Sequence, residues 1–187
     1  WARNRVPAGI VHVVTALTRP WNLPALAASL HEASLRAGPA LGQLSWHVRP
    51  DPTGAAVGGQ AVKNQVVAGI TDGWVLVLDD DTTCHPDLLR RVCETVAEDP
   101  DLDAVVVCQE RPDGSVLPAE ADRVGPGTID IGQVVLRRRT IGAWRIPESY
   151  DGDGHFLRSV LAGRHVRYLD EVLAVYNALR GGDRVEA

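Results

Sequence analysis

Three consecutive carboxylates, Asp79, Asp80 and Asp81, follow four apolar residues, Val75, Leu76, Val77 and Leu78. The apolar run, preceded by Asp72-Gly73 and followed by Thr82-Thr83, has the length and boundaries of a buried strand. Like charges side by side repel, so such a triplet is costly unless water or a cation screens it. Open α/β sheets bind ligands beyond the carboxyl ends of their strands, and hard oxygens there suit Mg2+ or Mn2+ holding a phosphate group. A second acidic pair, Asp151 and Asp153, flanks Gly152 at the start of an expected helix; either carboxylate can serve as a general base. Lys63 is the only lysine of the chain, so arginine supplies the rest of the positive charge.

The elements that must position these groups follow from periodicity and punctuation. Strands are expected over 9–16, 44–48, 74–78 and 104–108, where β-branched and apolar residues cluster. Helices are expected over 21–36, over 60–70 and after Pro86. Val62, Val66 and Ile70 recur every four residues and mark the expected inner face of the second helix. The glycines from 54 to 59 read as a loop. The first 110 residues therefore alternate strand and helix through four strands, which specifies an α/β fold with a mostly parallel central sheet and helices on both faces. Beyond them come a Pro/Gly-rich loop or small hairpin over 111–127, a strand over 129–136, a helix over 153–162 and two short closing strands over 165–168 and 172–176.

The bulk numbers bound the function. At 187 residues the chain suits a single domain spanning 1–187. Its 45% hydrophobic and 23% charged residues are those of a folded globular protein. A net charge of −5 advertises no nucleic-acid surface. Cys84, Cys93 and Cys108 match no zinc spacing and read as reduced, structural thiols, which fits a cytoplasmic protein. No apolar stretch reaches the length of a membrane span, and no signal peptide is visible. The absence of Met at position 1 points to a processed or trimmed chain. No Gly-x-Gly-x-x-Gly follows the first strand, which disfavours a dinucleotide site.

Two enzyme classes carry Asp-x-Asp at a strand tip. Asp79, Asp81 and Thr83 resemble the first motif of haloacid-dehalogenase-like phosphatases, but two strand-helix units precede the triplet and no lysine follows it. The wider pattern resembles the inverting GT-A nucleotide-sugar glycosyltransferases of families 2 and 43. The segment from Val13 through Thr15, Ala16, Leu17, Thr18, Arg19 and Pro20 resembles their first strand and nucleotide loop. Trp46 to Asp51 resembles the second strand with its base-contacting acid, and Lys63-Asn64 stands where Arg-Asn is common. Asp151-Gly152-Asp153-Gly154-His155, with the segments about Gly163, Tyr168 and Val172, resembles the acidic motif, helix and closing strand. The likeness spans residues 9 to 178, and the order of the motifs carries it. Leu17 replaces a frequent aromatic, only 28 positions separate Asp51 from Asp79, and the acidic motif is Asp-Gly-Asp rather than Glu-Asp.

The resemblance implies a GT-A (Rossmann-like) domain whose nucleotide-sugar half spans about 9–110 and whose acceptor half spans about 111–178. It implies a UDP- or GDP-type donor, an acceptor hydroxyl of unspecified identity, and Mn2+ or Mg2+ as cofactor. Asp81 with Asp79 would hold the metal, and Asp79 or Asp80 would touch the ribose. Thr15, Ala16, Thr18, Arg19, Asp51, Lys63 and Asn64 would frame the donor. Asp153, or else Asp151, would be the base. His155 is a further candidate as a metal ligand or an acceptor contact, Trp144 and Tyr150 are candidates for stacking on a sugar ring, and Gly132-Gln133 for lining the acceptor pocket. A phosphatase using Asp79 and Asp81, and a non-catalytic nucleotide-binding module, remain the alternatives.

Overall fold

The computed structural model describes residues 9–51 and 59–180, so most of the expected 54–59 loop lies outside the described residues. Its strands are β1 (Ile10–Leu17), β2 (Gln43–Pro50), β3 (Trp74–Val77), β4 (Thr83–Cys84), β5 (Ala104–Glu110), β6 (Val116–Leu117), β7 (Val134–Arg137) and β8 (Val166–Val175). The helices are α1 (Leu23–Ala37), α2 (Gln60–Gly69), α3 (Leu88–Glu98), α4 (Arg138–Ile141) and α5 (Gly152–Leu161). The sheet order is β2-β1-β3-β7-β5-β8-β4, with β6 paired to β5. β1 pairs in parallel with β2 and β3, as does β5 with β8. β7 lies antiparallel between β3 and β5.

Alternation along each strand sends side chains to two cores. Val11 and Val13 of β1, Leu76 of β3 and Val105 and Val107 of β5 pack with Leu26 and Leu30 of α1 and Leu89 and Val92 of α3. Val14, Val75, Val77 and Val106 face the other way, onto Val67 of α2 and Phe156, Leu157 and Val160 of α5. Helices thus cover both faces of a mostly parallel sheet. No helix among the described residues is long and apolar enough to cross a membrane. The three cysteines are free and buried, and burial pushes the Cys84 thiol up to about 12.

Three local expectations are corrected. The stretch 129–136 is not one strand: Ile131–Gln133 forms a 3-10 turn before β7, because Asp130 and Gln133 close a reciprocal capping box across it. The two closing strands are a single β8, whose register against β5 shifts around Cys108; the polar Asp170-Glu171 that interrupts the sequence pattern lies in that irregularity. The expected apolar face of α2 is only partly the buried one: Ile70 is buried and Val66 packs against the core, but within the helix the buried residues are Gln60, Lys63 and Val67. The one-turn helix α4 follows β7 directly, without a loop.

On adjacent strands, His12 Nδ1 lies 2.9 Å from His47 Nε2, and His12 is 8% exposed. Burial, helped by His47 and opposed by Asp72, holds the His12 pKa below the ordinary value. The unfolded chain therefore takes up a proton at higher pH than the folded one, and this pair loses stability as pH falls below about 6.5. Thermal melts at pH 7.5 and 5.5 should show the wild type losing ground to His12→Phe at the lower pH. A difference between the two proteins that does not change with pH would contradict this.

Candidate active site

The carboxyl ends of β1 and β3 lie side by side, and Leu78 N donates to Val14 O at 2.9 Å. That pairing delivers the three aspartates next to the loop leaving β1, and each carboxylate takes a different partner. Asp80 turns back: its Oδ2 accepts from Thr18 N (2.6 Å), Arg19 N (2.6 Å) and Thr18 Oγ1 (2.9 Å), while Oδ1 meets Arg19 Nη1 at 2.9 Å. With 3% exposure it shapes the loop after β1. Asp81 Oδ2 faces two guanidinium groups, Arg19 Nη1 at 3.4 Å and Arg180 Nε at 3.2 Å. Its backbone oxygen accepts from Leu179 N at 3.0 Å. Burial and Asp79 raise its pKa even against those arginines.

Asp79 is partly accessible, and its Oδ1 lies 2.5 Å from Lys63 Nζ. Lys63 is 1% exposed, the deepest charge in the described residues. Burial favours the neutral amine, but Asp79, Asp153 and Asp130 together outweigh it and raise the pKa, so the ammonium keeps its proton. Asp153, in the first turn of α5, points into this cluster and accepts from Gln60 Nε2 at 3.3 Å. Burial pushes it up to about 6, with Lys63 pulling it down and Asp79 pushing it up. Glycines let α5 come this close: a Cβ at Gly154 would stand 2.5 Å from Pro126 Cα, and one at Gly152 would run into Pro147 O. The Gly residues of Asp151-Gly152-Asp153-Gly154 are thus packing requirements that aim Asp153 inward.

Asp151 is exposed and turned outward, hydrogen-bonded to Ser149 Oγ (3.1 Å) and His155 Nε2 (3.2 Å). The Ser149 bond, with further help from His155, holds its pKa below the usual carboxylate range. Thr15 is buried, its hydroxyl accepting from Trp46 Nε1 at 3.1 Å, and Ala16 is buried beside it. Asp51 is buried at the end of β2, its N–H donating to Leu17 O at 2.9 Å. Asn64 exchanges two 2.8 Å bonds with the backbone of Ile146 and ties α2 to the segment before α5. Trp144 and Tyr150 are exposed on that segment.

Asp130 was not among the candidates, yet it joins the cluster. Its Oδ1 accepts from Gly132 N at 2.8 Å and Gln109 Nε2 at 3.2 Å. Burial, then Asp79 and Asp153, push it up to about 7. The available signal was Asp-x-x-Gln ahead of an apolar strand, a capping box that fixes a carboxylate at a strand entrance.

A divalent cation fits the donor set. Asp79 and Asp81 offer hard oxygens side by side at the tip of β3. The described residues hold no cluster of three protein ligands, so phosphate oxygens and water would complete the coordination, as is usual for Mg2+.

No family model and no curated protein matches the chain. Solved structures do. TarS 1–349 of S. aureus in complex with UDP-GlcNAc aligns with a TM-score of 0.65 at 14% identity, over 89% of this chain and 58% of that one. The mannosyltransferase PcManGT from Pyrobaculum calidifontis, in complex with GDP-Man and Mn2+, aligns with a TM-score of 0.60 at 14% identity, over 90% of this chain and 56% of that one. The chain thus spans under two thirds of the length of these two structures. Likeness at such identity establishes architecture, and the chain has the fold of the GT-A-like nucleotide-sugar glycosyltransferases.

Proposed function

We propose that the chain is a metal-dependent glycosyltransferase that moves a sugar from a nucleoside diphosphate to an acceptor hydroxyl with inversion. The observation that carries this reading is the meeting of Asp79, Lys63 and Asp153 at the carboxyl edge of the sheet, beside the loop that Asp80 fixes. The nucleotide would lie along Thr18 and Arg19, with Asp51 at its base end. A divalent ion held by Asp79 and Asp81 would supply charge to offset that developing on the leaving diphosphate. Asp153 takes the proton of the acceptor hydroxyl. The acceptor oxygen then bonds to the anomeric carbon as the bond to the diphosphate oxygen breaks, and the diphosphate departs with the electron pair. A single displacement of this kind inverts the anomeric centre. The ligands in the TarS and PcManGT structures, UDP-GlcNAc and GDP-Man, support a nucleotide-sugar donor here.

Lys63 holds the arrangement together. Its ammonium pairs with Asp79 and pulls the Asp153 pKa down against burial, and a carboxylate with a pKa of about 6 is a stronger base than an unperturbed aspartate while still ionised at neutral pH. Asp151, outward and paired with His155, is less suited to that role. The phosphatase alternative would need Asp79 as its nucleophile on the first strand of the core, whereas β3 is the third strand of the chain.

Calorimetry with UDP, GDP and their sugars should show binding that Mn2+ strengthens; no binding to any of them, with or without metal, would defeat the proposal. Asp153→Asn should lower the transfer rate by roughly 10²–10⁴-fold while leaving nucleotide affinity within a few-fold. In the wild type, kcat/KM should fall below about pH 6 as Asp153 takes up a proton, and a flat acid limb would remove it as the base. Lys63→Met should cost about 3–5 kcal/mol in urea unfolding, because it strands buried carboxylates without their cation. A cost below about 1 kcal/mol would show that the cluster does not depend on the ammonium.

A further inference from the structure

Asp130 uses one carboxylate oxygen to build its turn and takes no hydrogen bond from the described residues on the other. Oδ1 accepts from Gly132 N and Gln109 Nε2, and the Asp130 N–H donates to Gln133 Oε1 at 2.9 Å. The mounting is elaborate. Gln109 and Gln133 are both fully buried, and Gln133 Nε2 donates to Val107 O (2.9 Å) and Leu117 O (3.2 Å). Gln109 leaves its own Oε1 without a partner in order to present its amide to Asp130, and an unmade buried hydrogen bond is a standing cost. Gly132 has no room for a side chain, since a Cβ would stand 2.9 Å from Asp130 Oδ1 and 3.2 Å from Gln109 Nε2. A turn that served only to enter β7 would need neither the charge nor the two buried glutamines.

The turn carries Asp130 to the same cluster as Asp79 and Asp153, on the acceptor-side half of the chain. Buried Lys63 pairs with Asp79 at 2.5 Å and is influenced electrostatically by Asp153 and Asp130, and the turn lies against the residues just past the triplet, a Cβ at Gly132 standing 3.6 Å from Thr82 Cγ2. Each of the three carboxylates is partly accessible, and Asp79 and Asp153 also commit one oxygen, to Lys63 and Gln60 respectively. A surplus of carboxylate oxygens in a poorly solvated recess is relieved by hydroxyl donors and aggravated by any further anion. Burial and the neighbours Asp79 and Asp153 push Asp130 up to about 7, in line with that surplus.

Building on the transferase reading, we propose that Asp130 is a specificity-determining residue that accepts a hydroxyl of the donor's sugar and makes the site select uncharged hexoses over hexuronates. The discrimination has both an attractive part, carboxylate to hydroxyl, and a repulsive part, carboxylate to carboxylate.

The test uses donor pairs sharing base and ring, UDP-glucose with UDP-glucuronate and GDP-mannose with GDP-mannuronate, titrated by calorimetry with Mn2+ beside UDP and GDP alone. The wild type should bind the uncharged member of the accepted pair at least roughly tenfold more tightly than the uronate. Asp130→Asn keeps an oxygen for Gly132 N and Gln109 Nε2. It should leave UDP or GDP affinity unchanged, weaken the uncharged donor and strengthen the uronate, narrowing the gap by about tenfold. A variant that changes all ligands alike, or none, overturns the assignment. So does a wild type that binds the two members of each pair equally, a result that needs no variant to fold. Nucleotide binding without sugar discrimination defeats this inference alone, whereas absence of any nucleotide binding defeats the transferase reading and this inference with it.

Discussion

A single ammonium group, at Lys63, is the constraint on which the functional end of this molecule depends. Three carboxylates from three separate elements, the tip of β3, the turn before β7 and the first turn of α5, converge on it. Brought together without a cation they would repel one another and take up protons from water. With it, two of them keep raised pKa values yet stay in place. The polar part of the inner face of α2 follows from this: Gln60 and Lys63 point inward because the groups they serve lie there, while Val67, with Ile70 just past the helix, supplies the buried apolar contact. The same logic divides the aspartate triplet. Asp79 belongs to Lys63, Asp80 to the loop after β1, and Asp81 to the arginines. What reads as one acidic run is three separate electrostatic contracts.

Much of the framework was legible because it rests on local rules. β-branched runs, helix stops at Gly-Pro and the four-strand alternation before residue 110 lead to β1, β2, β3 and β5 with α1, α2 and α3 between them. The triplet stood out because apolar residues end abruptly in charge. Other features rest on partners far away in the chain. The inward turn of Lys63 breaks the rule that a helix buries its apolar stripe, and only the distant acids explain it. Asp130 read as part of an expected strand, because its role depends on Gln109, Gln133 and Gly132 acting together. Asp153 ranked ahead of Asp151 in sequence, though both flank the same glycine; the close approach of α5 at Gly152 and Gly154 turns Asp153 inward and leaves Asp151 to His155.

The position of β7 has a consequence for how the molecule is assembled. β3 and β5 are consecutive long strands in the chain, yet they never touch as neighbours; a strand made some thirty residues later is threaded between them. Until residues 134–137 arrive, β5 has no lateral connection to β3, and the first half of the chain is an unfinished sheet with an open seam. Closing that seam requires contacts distant in sequence, the kind that form late because chain entropy must be spent first. The turn carrying Asp130 is the lead-in to the very strand that closes it. The strand that closes the seam thus brings Asp130 with it, and Asp153 follows further along the chain on α5, so the acids gather only from segments on both sides of that closure.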